Sequence, residues 1–145
     1  MEKTIEWKEE YNIGISRIDH QHRYFFELIN WLTDNLLASD NLDLNQKYVE
    51  EVMGYAKFHF LSEQNVMQYC DYPELEAHKK SHTKLINQLN VKGANLDFGE
   101  ENIADFVNFL REWFFEHTTQ EDRKIKTYLE GCRGLKQKRS TMLST

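Results

Sequence analysis

Four separate segments of this chain carry apolar residues at alternating steps of three and four, the spacing that lines one face of an α-helix. Ile18, Phe25, Ile29, Leu32 and Leu36 form the first stripe, and Val49, Val52, Ala56, Val66 and Cys70 the second. Leu75, Leu85 and Leu89 mark the third, and Ile103, Phe106, Leu110 and Trp113 the fourth. A single stripe must be covered by other helices, and the breaks between segments are short: "ASDNLDLNQ", "DYPEL" and "VKGANLDFGEEN". Short connections make successive helices antiparallel neighbours, so the expected fold is all-α, an antiparallel up-down four-helix bundle. The first helix is predicted from about Asp19 to Ala38 and the second from about Leu44 to Cys70, with Pro73 in the first turn of the third. Residues 1–17 lack the periodicity and predict an N-terminal arm. Arm and bundle are expected to fill residues 1–130, leaving 131–145 as a short C-terminal tail.

Every stripe also carries polar residues. His22 stands between Ile18 and Phe25, and in "FHFLSEQNVM" His59 and Glu63 lie four residues apart where leucine or valine would be usual. His78 and His82 occupy the third stripe, and His117 follows Trp113 on the fourth. One buried histidine is usually satisfied by a neighbour, and one pair at i and i+4 is common by chance because those positions share a helix face. Five of the six histidines and a glutamate on four stripes need another explanation, since burying so many polar groups is costly unless something binds them. Depth agrees. A rise of about 1.5 Å per residue puts His22 roughly 5 Å from the start of the first helix and His59 and Glu63 roughly 11–17 Å from the end of the second. His78 and His82 lie roughly 8–14 Å from the start of the third, and His117 roughly 18 Å from the end of the fourth. In an up-down bundle these depths coincide at one end, which predicts a metal site there. His20, two positions from His22, points to the opposite side and reads as a surface residue.

Five imidazoles and a carboxylate are too many for one tetrahedral zinc. They suit two transition ions with mixed nitrogen and oxygen ligands, iron being the natural candidate, with Glu63 able to bridge them. The setting follows from composition. With 24 acidic and 18 basic residues the chain carries a net charge of −6, which argues against nucleic acid as a partner. No apolar run approaches the roughly 20 residues of a membrane span, and "MEKTIEWKEE" is too charged for a signal peptide, so a cytoplasmic protein without membrane insertion is expected. Cys70 and Cys132 make no disulfide framework and are expected as reduced thiols. Residues 131–145 hold four basic residues (Arg133, Lys136, Lys138, Arg139) and no acidic ones, leaving 14 basic against 24 acidic, net −10, in residues 1–130. Such a tail suits an acidic partner or is unstructured.

The motifs in order resemble those of the bacterial single-domain hemerythrins. The matching residues are Trp7 and Gly14 in the arm, "IDHQH" opening the first helix, then "HFLSE", "HKKSH" and "HTTQED", together spanning about residues 5 to 130. The resemblance implies a seventh ligand, Asp122, which periodicity does not select: five residues past His117, it lies about 140° round an ideal helix. A π-type turn between His117 and Asp122 is therefore expected. By the same resemblance His78, His82 and His117 hold one iron, His22 and His59 the other, and Glu63 and Asp122 bridge them beside an oxo or hydroxo bridge. The iron with two imidazoles is then one donor short, and the resemblance implies that O2 binds there reversibly, as hydroperoxide.

Phe25, Phe60, Trp113, Phe114 and Thr118 hold the positions that wall this open side in the family. Leucine is commoner at Phe25 and Phe114, and an aliphatic residue at Thr118. The threonine hydroxyl either bonds to its own backbone one turn back or points at the bound ligand. The implied role is O2 carriage, storage or sensing, not enzymatic turnover. Two other readings stand beside it: a di-iron enzyme acting on peroxide or nitric oxide, or iron storage and detoxification; and a structural or zinc-binding bundle, which needs no open position.

Overall fold

The computed structural model describes residues 6–132. It is all-helical over that span. A 3-10 turn at Glu9–Tyr11 precedes α1 (Ser16–Ala38), α2 (Leu42–Tyr69), α3 (Leu75–Ala94) and α4 (Glu100–Glu116). A π turn at His117–Glu121 joins α4 to α5 (Asp122–Cys132), so the expected fourth helix is present with a widened turn inside it. α1 packs on α2 and α4, and α3 on α2 and α4, closing the ring of an up-down four-helix bundle.

Local chemistry explains the boundaries. The first helix starts at Ser16, three residues before the predicted Asp19. Asp19 instead serves the arm: its carboxylate accepts the main-chain N–H groups of Ile13 and Gly14 at 2.8 and 3.2 Å. Gly14 sits at φ 92°, a conformation that a side chain would strain. Asn41 caps α2 by accepting the Leu44 N–H at 3.1 Å. α2 ends with Asp71 at φ 56°, where the Tyr72 N–H donates back to the Met67 carbonyl at 2.9 Å, the closure of a Schellman turn. Pro73 falls in the turn before α3 rather than within its first helical turn, because the helix begins only at Leu75. Of the 131–145 tail, Gly131 and Cys132 end α5, and the basic residues from 133 onward lie outside the described residues.

The core divides into two apolar clusters. The larger gathers Phe25, Phe26, Ile29, Leu32, Leu36, Val52, Ala56, Phe60, Leu89, Phe106, Leu110 and Phe114. The smaller, at the arm end, holds Ile13, Ile15, Ile18, Val66, Met67, Cys70, Tyr72 and Ile125. On α1, His22 separates Ile18 of the small cluster from Phe25 of the large; on α2, Glu63 separates Val66 from Phe60. His117 and Asp122 separate Phe114 from Ile125, and His78 and His82 lie between Leu75 and Leu85. The polar residues thus form one layer across the bundle, sealed by hydrocarbon on both sides. The arm closes its flank: Trp7 packs edge-on against Phe26 with ring centres 5.2 Å apart and lies 6.1 Å from the His22 ring. Among the described residues, no helix is long and apolar enough to cross a membrane.

Leu32 is fully buried in the large cluster, away from the polar layer. Leu32→Ala should cost about 2–5 kcal/mol in urea unfolding, with metal content unchanged.

Candidate metal centre

His22, His59, Glu63, His78, His82, His117 and Asp122 meet in the polar layer, none more than 5% exposed. Their donor atoms form two groups, His78, His82 and His117 in one and His22 and His59 in the other, with Glu63 and Asp122 common to both. Each carboxylate divides its two oxygens between the groups. Oε2 of Glu63 lies 2.9 and 3.1 Å from the Nε2 atoms of His22 and His59, while Oε1 lies 3.4, 3.0 and 3.7 Å from those of His78, His82 and His117. Oδ2 of Asp122 faces His22 at 3.0 Å, and Oδ1 faces His78 and His117 at 3.1 and 3.2 Å. His20 is exposed and takes no part.

Of these contacts, His22 and His82 Nε2 are aligned for hydrogen bonds to Glu63, at 2.9 and 3.0 Å, while others are close without alignment. Nε2 of His59, Nε2 of His78 and both oxygens of Asp122 are buried without a hydrogen-bond partner. Nitrogen and oxygen atoms that converge at contact distance without donor–acceptor alignment are what a shared cation would satisfy. The set fits a pair of transition ions in both donor type and number, three imidazoles and two carboxylates on one side, two imidazoles and the same carboxylates on the other.

Asp122 reaches the layer through the π turn, in which its N–H donates to the His117 carbonyl five residues back. The extra residue in that turn rotates Asp122 onto the face that His117 occupies, as expected from the resemblance.

Two glutamines hold the outer side of the imidazoles, a role the sequence reading did not assign. Gln21 Oε1 lies 2.8 Å from His59 Nδ1, and the amide nitrogen of Gln21 donates to Ser62 at 3.2 Å. The Gln64 amide lies 2.9 Å from His82 Nδ1. At His59, with Nε2 committed to a cation, Nδ1 carries the hydrogen and the Gln21 amide oxygen fixes the tautomer and the ring plane; at His82 it is the Gln64 amide nitrogen that faces Nδ1. The available signal was adjacency: Gln21 precedes His22 and Gln64 follows Glu63, each supporting a histidine from another part of the chain.

Aromatic residues surround the layer on its large-cluster side. Phe25 and Phe114 pack on each other at 4.2 Å, and Phe114 lies 5.8 and 6.1 Å from the rings of His22 and His59. Phe60, expected on the open side, lies 5.8 Å from the His59 ring and also stacks on His82 of the other group, ring centres 3.9 Å apart and planes 7° from parallel. It is carried there because α2 faces α3 at this position. Trp113 stands behind these rings, 5.7 Å from Phe60 and 6.3 Å from Phe25. Thr118 is buried, and its hydroxyl has no hydrogen-bond partner, so the backbone-bonded alternative does not hold.

Without a cation the layer is a network of charges. Burial works against charging His22, His78 and His117, but the Asp122 and Glu63 carboxylates against their rings outweigh it and hold them at about 9, 9 and 10. Burial dominates at His59 and His82 and lowers both. Burial also pushes up the Glu63 and Asp122 carboxyls, yet the surrounding imidazoles more than reverse this, holding Glu63 well below its usual range and Asp122 at about 2.

A bundle core with two histidine-rich donor groups joined by shared carboxylates defines the class of binuclear metal-binding helical proteins. The chain belongs to the hemerythrin family: the Hemerythrin HHE cation binding domain matches residues 13–129. It is 32% identical to the bacteriohemerythrin of Clostridium acetobutylicum over 124 residues, 81% of this chain and 95% of that protein. It is 29% identical to the myohemerythrin of Theromyzon tessulatum, covering 86% of this chain and 92% of that one. A crystal structure of wild-type hemerythrin superposes with a TM-score of 0.75 at 25% identity, covering 86% of this chain and 97% of that chain. The family implies a binuclear non-haem iron site that binds O2.

Histidines whose folded values lie above 6.5 stabilise the metal-free fold fully below that pH and lose this contribution as pH rises to about 9–10. His59 and His82, shifted down, exert their effect below pH 6.5 and not in this window. Melting scans should therefore show the metal-free chain losing stability from pH 6.5 to 10, while metal uptake in weak buffer at pH 7.5 releases protons to an indicator dye. Gln21→Leu strands the His59 Nδ1–H and should weaken metal retention about 10–100-fold in a chelator competition.

Proposed function

We propose that this protein binds O2 reversibly, as hydroperoxide, at a di-iron centre held by the seven residues of the polar layer. The observation that carries this reading is the division of the Glu63 and Asp122 oxygens between two donor groups that differ by one imidazole. Two equivalent groups would leave no preferred place for a ligand. Here the group with His22 and His59 has one protein donor fewer and offers the entering molecule a position.

When bound, the irons supply the two electrons that hold O2. The chain's residues do the rest. Glu63 and Asp122, common to both donor groups, would hold both ions. Gln21, through its amide oxygen, holds His59 in the tautomer that presents Nε2 inward, and Gln64 fixes the ring of His82 from behind. Phe25 and Phe114, neither of them exposed to solvent, exclude water from the two-histidine side, which favours release of intact O2 over loss of peroxide. A core built from imidazoles with only two carboxylates favours binding over substrate oxidation; ferritin-like di-iron proteins recruit more carboxylates. Carriage, storage and sensing share this chemistry.

The test is metal analysis with spectra taken without and with O2. About two irons per chain are expected, with a visible band that appears on aeration and vanishes on deoxygenation. Removing the metal should lower the melting temperature by mass action. One tightly held zinc, or an aerated spectrum that never reverts, overturns the reading.

A further inference from the structure

Thr118 is 1% exposed, and its Oγ1 is buried with no hydrogen-bond partner. Three other helical threonines behave differently. Thr33, Thr119 and Thr127 each donate to the carbonyl four residues back, at 2.8, 2.8 and 3.2 Å. Thr119 does so inside the same π turn, so the turn itself does not forbid the bond. Thr118 alone of these four leaves its hydroxyl unspent, in a place where an unpaired hydroxyl is destabilising.

Its position in the helix says where it acts. Thr118 lies four residues after Phe114, one turn further along the same stripe, whereas the π turn takes Asp122 off that spacing and onto the face of His117. Phe114 abuts the rings of His22 and His59, and Asp122 Oδ2 lies 3.0 Å from His22 Nε2. The hydroxyl therefore belongs to the two-histidine side, the group with one donor fewer.

We propose that Thr118 is a positioning residue: its hydroxyl donates a hydrogen bond to a small oxygen- or nitrogen-donor ligand occupying the free position beside His22 and His59. This rests on the di-iron reading above. A wall of hydrocarbon alone would select by size. A hydroxyl donor in that wall adds preference for ligands with an accepting lone pair.

The test compares wild type, Thr118→Val and Thr118→Ser, purified at equal metal content. Azide is titrated into the oxidised iron protein, followed by its charge-transfer absorbance, and melting temperature is measured without azide. Valine matches threonine in shape and lacks the donor, so azide should bind about fivefold more weakly, the effect of one neutral hydrogen bond. Serine keeps the donor and should stay within about twofold of wild type. The melting temperature of the valine variant should equal or exceed that of wild type, because no bond within the protein is lost. Unchanged azide affinity in the valine variant, or equal weakening by serine, overturns the proposal. So does a melting temperature about 3 °C or more lower in the valine variant, since that places the hydroxyl's partner within the protein. If the wild type itself gives no azide band, the di-iron reading fails instead, and the melting comparison decides the hydroxyl alone.

Discussion

A buried layer of imidazoles and carboxylates, closed above and below by hydrocarbon, is the constraint on which the rest of this structure depends. Five histidines and two carboxylates stand in a bundle core without enough aligned hydrogen bonds to satisfy them. Placing unsatisfied polar atoms there works against folding, and cations bound at the centre of the layer would offset that cost. The two apolar clusters contribute the stability that lets the layer form and keep water out of it. Fold and site are therefore one arrangement: each helix carries residues of the small cluster, the polar layer and the large cluster in register.

The centre's asymmetry arises from small differences between helices. α2 supplies one imidazole and one carboxylate a turn apart, α3 two imidazoles a turn apart, and α1 a single imidazole. α4 supplies one imidazole and must turn Asp122 inward as well, which it does by widening its backbone. The result is three imidazoles against two across shared carboxylates. That inequality is geometric before it is chemical, and it marks one side of the centre as the place for an external ligand.

The surroundings of the two sides differ as well. The three-histidine group is stiffened by Phe60 stacked flat on His82 and by Gln64 behind it. The two-histidine group is bordered by Phe25, Phe114 and the buried hydroxyl of Thr118, with Trp7 of the arm closing over His22. The arm is thus part of the site's enclosure, held in place by Asp19, whose carboxylate accepts the N–H groups of Ile13 and Gly14. A bundle without it would leave the His22 flank open.

Much of this was legible in the chain itself. Periodicity marked four helices and the seams on which His22, His59, Glu63, His78, His82 and His117 fall, because a regular helix maps position directly onto face. Asp122 came from family resemblance and not from periodicity, since the π turn breaks the very spacing that the seam argument assumes. Gln21 and Gln64 were silent because each acts on a histidine from another part of the fold, 38 and 18 residues away, and such pairs exist only once helices pack. The sharing of Glu63 and Asp122 between two groups was implied by the resemblance, whereas the placement of Phe60 against His82 and the free hydroxyl of Thr118 depend on helix rotation and side-chain rotamer. Sequence determines which faces are buried and which chemistry they carry. Packing alone determines which atoms meet, because a difference of about 1 Å separates a hydrogen bond from mere proximity.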